Sequence, residues 1–501
     1  MEKIHHDYGD VLWKRGDFVA LGIRLCYTIS VDNLYQKPWG AYQKMILNNS
    51  PVIWNGHYVM ELLQGTGPSN WEATGVSIDT RTLKPGDLFI ALQGPNFDGH
   101  DFTHKALALG ACAVIVQTID PRLIGTDQPV IVVPDTIQAL TQLAKAARAR
   151  FLGRILALTG SVGKTSVKDG LAHVLSKQGE TSASLHSLNN HLGVPLSLAR
   201  LPQDARYAIF EVGMNHAGEI EQLVQLIHPH IALITQVSYQ HGQFFSSIDA
   251  IVDAKAEIFS GLPPLVGILP HDSPHYSALR NQERNNVTGW ITFGRHSASN
   301  VRLISTVCQG DKTQVTIEIN KEQLSYHWPL DGAHTLDNSL AIVAGAWAIG
   351  ADMHQVMNDL STITPSKGRG SRLNLRGISI IDESYNAAPA SMHAVLTAFA
   401  QEQCPGKRYL LLGEMRELGA QSYALHSALI PLMHACCLDG VWLCGNEFQP
   451  FLEEVPQLCG HGLGIDDLLP SILETLRPGD CILIKGANCM RTFALIDALK
   501  E

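Results

Sequence analysis

One segment constrains the fold more than any other. An apolar run, Ile155-Leu156-Ala157-Leu158, leads straight into Thr159-Gly160-Ser161-Val162-Gly163-Lys164-Thr165-Ser166. A short apolar run without polar alternation predicts a strand covered on both faces, as in a parallel sheet. The glycine-bearing turn then predicts a helix from Lys164 to about Lys177. Strand, turn and helix in this order suit phosphate binding. The glycines let backbone N–H groups point into one concavity, and the helix N-terminus adds a favourable dipole. Lys164 supplies a charge for the outer phosphates, and the Thr165 hydroxyl is a candidate ligand for Mg²⁺. Position 158 is Leu, so the spacing departs from the strict eight-residue phosphate-loop form. A glycine-rich turn capping an ordinary helix is the alternative reading.

The rest of the chain repeats strand–helix alternation. With 501 residues, about three domains are expected. Residues 1–51 show no clear periodicity and read as an extension with no assigned role. Residues 52–150 read as a first α/β domain, with strands at 75–79, 87–92, 113–116 and 130–133 and helices at 101–109 and 135–150. Residues 151–362 form a second, with later strands at 207–212, 231–237 and 265–269. The segment 361–370 is rich in turn formers and reads as a linker. Residues 363–501 form a third domain, with strands at 378–381, 409–412, 441–443 and 481–484. The pattern predicts mostly parallel sheets flanked by helices.

Composition excludes several functions. The formal net charge is −10 and no long basic run interrupts it, which argues against a nucleic-acid partner. Hydrophobic residues make up 45% and charged residues 17%, as in chains that bury real cores. Ten cysteines without a Cys-x-x-Cys pair suit free thiols in a reducing compartment. No run approaches the ~18 apolar residues of a membrane span. The first residues lack the charged and apolar regions of a secretory signal. The expected location is the cytoplasm, without membrane insertion.

A triphosphate needs a cation, so carboxylates at strand ends matter. Glu211 closes the run Tyr207-Ala208-Ile209-Phe210, where ligands of open α/β sheets gather. His241 follows the strand at 231–237, and Lys255 falls on the next helix. Local sequence alone would single out neither, since such side chains are usually structural or solvated.

The order of these runs resembles the Mur ligases. The phosphate loop, the run from Glu211 to Ile220, His241 with the Lys255 helix, the run from Gly332 to Ile342 and the run from Ile381 to Met392 all match that family in sequence. Within it, the runs from Ser187 to Leu198 and from Glu383 to Pro389 resemble the branch that joins D-alanyl-D-alanine to UDP-N-acetylmuramoyl-tripeptide. The resemblance covers roughly residues 52–501. It implies a UDP-binding N-terminal α/β domain, a central ATPase domain with a phosphate loop and parallel sheet, and a C-terminal Rossmann-like domain. It implies ATP and Mg²⁺ as cofactors, Lys164 and Thr165 on the phosphates and first magnesium, and Glu211 on that magnesium. His241 would bind a second magnesium, and Lys255 matches a lysine that several members carry as a carbamate. His334 and Asn338 match one motif, with Asn338 reading adenine. Arg372 would reach the γ-phosphate and Asp382 the ribose. Ser77, Asp79 and Arg81 would bind the UDP moiety, Asn189 and Asn190 the muramoyl part, and Tyr385 and Asn386 the acceptor. A monomer is expected. The pattern departs from the family at Lys485-Gly486-Ala487, where Lys-Gly-Ser is frequent, and at Ala387-Ala388, where Ala-Asn is common.

The implied reaction activates the tripeptide carboxylate as an acyl phosphate, which the dipeptide amine then attacks. Arg372 and Asp382 lie in the third domain and Lys164 in the second, so closure about a hinge near Thr364-Pro365 is expected. The rivals are the member that adds the third stem residue, a folylpolyglutamate-type ligase, and a catalytically silent nucleotide-binding scaffold. The first usually carries an Asp-Asn-Pro-Arg motif, absent here, and the second lacks the Ser-x-Asp-x-Arg module.

Overall fold

The computed structural model describes residues 52–500, apart from 95, 96, 126, 284, 310 and 311; the extension predicted at 1–51 lies outside them. A short antiparallel ribbon, β1 (Trp54–Asn55) with β2 (Glu72–Ala73), precedes three sheets. The first sheet is wholly parallel, in the order β3 (Gly75–Ser77), β4 (Asp87–Ile90), β5 (Ala113–Val116), β6 (Val130–Val132). The helix Thr136–Arg150 covers it, opened by Asp135, whose carboxylate accepts from the N–H groups of Ile137 and Gln138.

The central sheet has nine strands. They are β7 (Arg154–Thr159), β8 (Thr181–Ala183), β9 (Tyr207–Glu211), β10 (Ile231–Ile234), β11 (Leu265–Pro270), β12 (Val287–Gly294), β13 (Val301–Gln309), β14 (Lys312–Ile319) and β15 (Glu322–Trp328). Their spatial order is β15-β14-β13-β12-β11-β10-β7-β9-β8. Strands β7, β9 and β10 are apolar almost throughout and buried, which is why they occupy the covered, parallel middle. The chain builds β8 and β9 on one side of β7, then crosses to build β10 on the other. The C-terminal end of β7 is therefore where sheet growth reverses, and a crevice opens there. The far end was not foreseen from sequence: β14 pairs antiparallel with both β13 and β15.

The third sheet runs β16 (Ser371–Leu375), β17 (Ile378–Glu383), β21 (Cys481–Lys485), β18 (Arg408–Gly413), β19 (Gly440–Cys444), β20 (Leu458–Gly462). All its pairs are parallel except β16 with β17.

The cores do not follow the sequence segments one for one. Among the described residues, the third sheet's core draws only on residues 378–499. The core under the first sheet gathers Trp54, Val59, Ile131 and Leu143, but also Leu196 and Ala199 from beyond β7. Those two sit on the helix Gly193–Ala199, which packs on Thr136–Arg150. Trp54 Nε1 donates to the Ala199 carbonyl at 2.8 Å, and Arg200 Nε donates to the Val76 carbonyl at 2.5 Å.

Candidate active site

The loop after β7 is shaped by two close approaches. Gly163 has φ +84°, and a Cβ there would meet Asn338 Oδ1 at 2.3 Å. A Cβ on Gly160 would meet Thr235 Oγ1 at 2.0 Å. Only glycine fits either place. The helix Lys164–Ser176 begins at Gly163 with no side-chain cap, so its first N–H groups remain available to an anion. Ser161 ties the loop down: its N–H donates to the Gln236 carbonyl and its Oγ to the Ser238 carbonyl. Lys164 Nζ folds back onto the Gly160 carbonyl at 2.7 Å.

Beside the loop, Thr165 Oγ1 donates to Glu211 Oε2 at 2.8 Å, and Asn189 Nδ2 donates to Glu211 Oε1 at 2.8 Å. These groups face a cavity of about 550 Å³ that also takes in Ser166, His241, Lys255, His334 and Asn338. The third sheet closes its other side. Tyr385 Oη donates to Ser187 Oγ at 2.5 Å, the Arg369 guanidinium lies 4.0 Å over the Tyr385 ring, and Arg369 Nη2 donates to Thr165 Oγ1 at 2.9 Å. Lys485 Nζ donates to the Asn386 carbonyl at 2.9 Å and lies 3.7 Å from Glu383. Site residues from the central and third sheets thus share one cavity.

Three lysines line it, and burial lowers the pKa of each. For Lys164 the Glu211 carboxylate opposes that effect, and for Lys485 the Glu383 carboxylate does. Lys255 is 1% exposed, and among the described residues its Nζ meets only the Met214 sulfur, at 3.4 Å. Burial and the Lys164 charge hold it well below the ordinary lysine range. His241, at φ +57°, meets Glu417 of the third-sheet side, Nδ1 to Oε2 at 2.5 Å. Burial pulls its pKa down while Glu417 pushes the other way.

Not all of the expected site residues line the large cavity. Thr159 is wholly buried at the strand end, and neither it nor Gly160 lines the cavity. Asn190 does not face the cavity; its Oδ1 accepts from the N–H groups of Leu192 and Gly193 and so starts a helix. Asp382 is 2% exposed, with Oδ1 taken by Ser384 and Oδ2 by the Gly368 N–H, so it braces the linker. Arg372 is clamped by Glu402 and Asp331 in a smaller neighbouring cavity, away from the phosphate loop. Asn338 presses on Gly163, so it borders the loop itself. Ser77, Asp79 and Arg81 lie outside the large cavity: Ser77 is buried, and Asp79 pairs with Arg81 at 2.6 Å. Sequence reasoning missed Arg369, Lys485, Glu383 and Ser187 as cavity residues. A cation between two glycines, Gly368-Arg369-Gly370, was the available signal.

The donors bear on magnesium. Thr165 and Glu211 are hard oxygen ligands side by side, and Mg²⁺ typically takes one or two protein oxygens with waters and phosphates. The first site fits. Among the described residues no three His, Cys, Asp or Glu side chains converge on one point. His241 is committed to Glu417 and the Lys255 amine is a poor magnesium donor, so a second site there requires Lys255 to gain oxygens.

Comparison with known proteins matches three stretches of the chain to one family. Residues 72–148 match the Mur ligase family catalytic domain, 158–346 the Mur ligase middle domain, and 368–488 the Mur ligase glutamate ligase domain. The UDP-N-acetylmuramoyl-tripeptide–D-alanyl-D-alanine ligase of Rickettsia prowazekii is 32% identical over 450 residues, covering 89% of this chain and 99% of the relative. The enzyme of the same name from Escherichia coli is 35% identical over 440 residues, covering 85% and 93%. The crystal structure of MurF from Acinetobacter baumannii superposes with TM-score 0.77 at 28% identity, covering 90% of this chain and all of that one.

Proposed function

The chain belongs to the Mur ligase family, and from that premise we infer that it joins D-alanyl-D-alanine to UDP-N-acetylmuramoyl-tripeptide, cleaving ATP to ADP and phosphate. The product is the UDP-linked pentapeptide precursor of peptidoglycan. One observation carries the reading: the phosphate loop and Glu211 of the central sheet share a cavity with Tyr385 and Asn386 beyond β17.

The chemistry follows from what the cavity offers. The tripeptide carboxylate attacks the γ-phosphorus of ATP, giving an acyl phosphate and ADP. The dipeptide amine attacks the acyl carbon, and phosphate leaves from the tetrahedral intermediate. A carboxylate ~4 Å from a phosphate charge costs about 4 kcal/mol at an effective dielectric near 20. Lys164 and the N–H groups at the start of Lys164–Ser176 offset that cost without rearranging. Thr165 and Glu211 are the residues to hold Mg²⁺, which would neutralise phosphate charge. Burial lowers the Lys255 pKa and so favours the neutral amine, the form that reacts with carbon dioxide; its carbamate would give His241 an anionic neighbour. Asn338 is assigned to the nucleotide, Asn189 to the muramoyl part, and Tyr385 and Asn386 to the acceptor. Ser77, Asp79 and Arg81, with hydroxyl, carboxylate and cation in one turn, are assigned to the UDP end. Exclusion of water from the cavity would protect the acyl phosphate from hydrolysis. The enzyme is taken to act as a monomer in the cytoplasm; no helix among the described residues is long and apolar enough to cross a membrane.

The deciding experiment is phosphate release from ATP with each substrate alone and with both. Release should require UDP-tripeptide and D-alanyl-D-alanine together. Release with a UDP-dipeptide and a free diamino acid instead would move the chain to the preceding step of stem assembly. No release under any combination would leave the silent-scaffold reading standing.

A further inference from the structure

The phosphate-loop helix carries a second lysine that the reaction above leaves without a task. Lys168 stands one turn beyond Lys164 on the helix Lys164–Ser176, yet it is 2% exposed and does not line the large cavity. Its Nζ donates to the Ser184 carbonyl at 2.7 Å and to the His186 carbonyl at 2.8 Å, and Asp169 Oδ1 lies 2.9 Å from it. Taking an ammonium out of water is costly, and an apolar side chain of that length would fill the same space without the cost. What the ammonium adds is direction, because it fixes where two carbonyls lie.

Those carbonyls belong to the loop between β8 and the helix Gly193–Ala199. Leu185, between them, is 54% exposed, so apolar burial does not hold this stretch. His186 takes φ +49°, a left-handed conformation that a residue other than glycine keeps where its surroundings hold it. At Leu188 the loop packs against the core under the first sheet. Beside these two anchors, Ser187 and Asn189 face the cavity. Ser187 Oγ accepts from Tyr385 Oη and lies 3.4 Å from Thr165 Oγ1. Asn189 donates to Glu211, and its own carbonyl accepts from the Gly213 N–H at 2.9 Å. A Cβ on Gly213 would meet the Asn189 carboxamide at 2.9 Å, so glycine lets the two approach.

We propose that Lys168 is a positioning residue for the UDP-linked substrate. Through two carbonyls it sets residues 184–187, and so the place from which Ser187 and Asn189 present their polar atoms. Lys168 itself touches neither substrate nor nucleotide. It ties the loop to the same helix whose N-terminus faces the phosphates, so both substrates take their register from one element. The proposal rests on the ligase reading above and on Asn189 as a contact of the muramoyl part.

The test measures phosphate release with ATP, UDP-tripeptide and D-alanyl-D-alanine in wild type, Lys168→Met and Lys168→Gln, each also in an Asn189→Ala background. Lys168→Met should raise the KM for UDP-tripeptide about tenfold or more, with the KM for ATP changed less than about threefold. Lys168→Gln, which keeps a donor at shorter reach, should fall between, and it carries the test if the Met variant does not fold. In the Asn189→Ala background the effect of either substitution should shrink to less than about threefold, because the contact being positioned is gone. A KM for UDP-tripeptide within about threefold of wild type in the folded variants overturns the proposal. So does an equal rise in the KM for ATP, which would mean general damage to the helix, and so do equal effects in the two backgrounds. An inactive wild type would instead remove the ligase reading on which the proposal stands.

Discussion

At the scale of single residues, Lys255 shows how a site departs from what folding alone would choose. A lysine 1% exposed with a sulfur for its hydrogen-bond acceptor opposes folding, because burial disfavours the charge that the unfolded chain carries in water. Lys255→Met should therefore raise the melting temperature at neutral pH, by about 2 °C or more, while turnover falls at least about 100-fold. A calorimetric scan beside a phosphate-release assay checks both; a lower melting temperature would mean that Lys255 supports the fold. Legibility differed from residue to residue. Lys164, Thr165 and Glu211 were readable because a local strand–turn–helix pattern or a strand end positions them. Arg369 and Lys485 were not, because their place in the site depends on how the third sheet meets the central one. Asp382 and Arg372 were readable as members of a motif, but their partners, Ser384 and Glu402, were not.

At the scale of elements, the parallel strands were the most legible. Buried on both faces, β7, β9 and β10 are almost purely apolar and bounded by turn signals. The antiparallel strands β13 to β15 escaped notice although burial alternates along β14 and β15, the pattern of a half-buried strand. The tight turn between β14 and β15 is Asn320-Lys321, both at positive φ, without the glycine that marks such hairpins. The residue before β10 makes a pH-sensitive joint. The His230 N–H donates to the Ile155 carbonyl, and His230 Nδ1 accepts from the Ile155 N–H at 3.0 Å, so the ring serves as a neutral acceptor. Burial, followed by the Arg148 and Arg154 charges, pushes its pKa down to about 4. Between about 6.5 and about 4 the unfolded chain binds a proton that the folded chain refuses. Stability contributed here is complete above pH 6.5 and lost as pH falls toward 4. Chemical denaturation across that window should show a smaller loss in His230→Asn than in wild type; identical slopes would exclude His230 as the source.

At the scale of the whole molecule, the site joins parts of the central and third sheets, and the closure expected of them can be tested. Arg372 bridges to Asp331 of the central segment and to Glu402 of the third. Its expected reach to the γ-phosphate requires breaking that clamp, and hence a rotation of the third sheet about the linker near Thr364-Pro365. Small-angle scattering should show a smaller radius of gyration with a non-hydrolysable ATP analogue and UDP-tripeptide together than without them; an unchanged radius counts against closure. The core that Leu196 and Ala199 share with Trp54 and Leu143 has a different consequence, one that concerns dissection. A fragment ending at Arg150 would keep every strand of the first sheet yet lose part of its hydrophobic floor, and should come out of cells aggregated. Residues 366–500 carry their own core. A cut in the linker before β16 should therefore leave a third-sheet piece that expresses in folded form, whereas a cut after Arg150 should not.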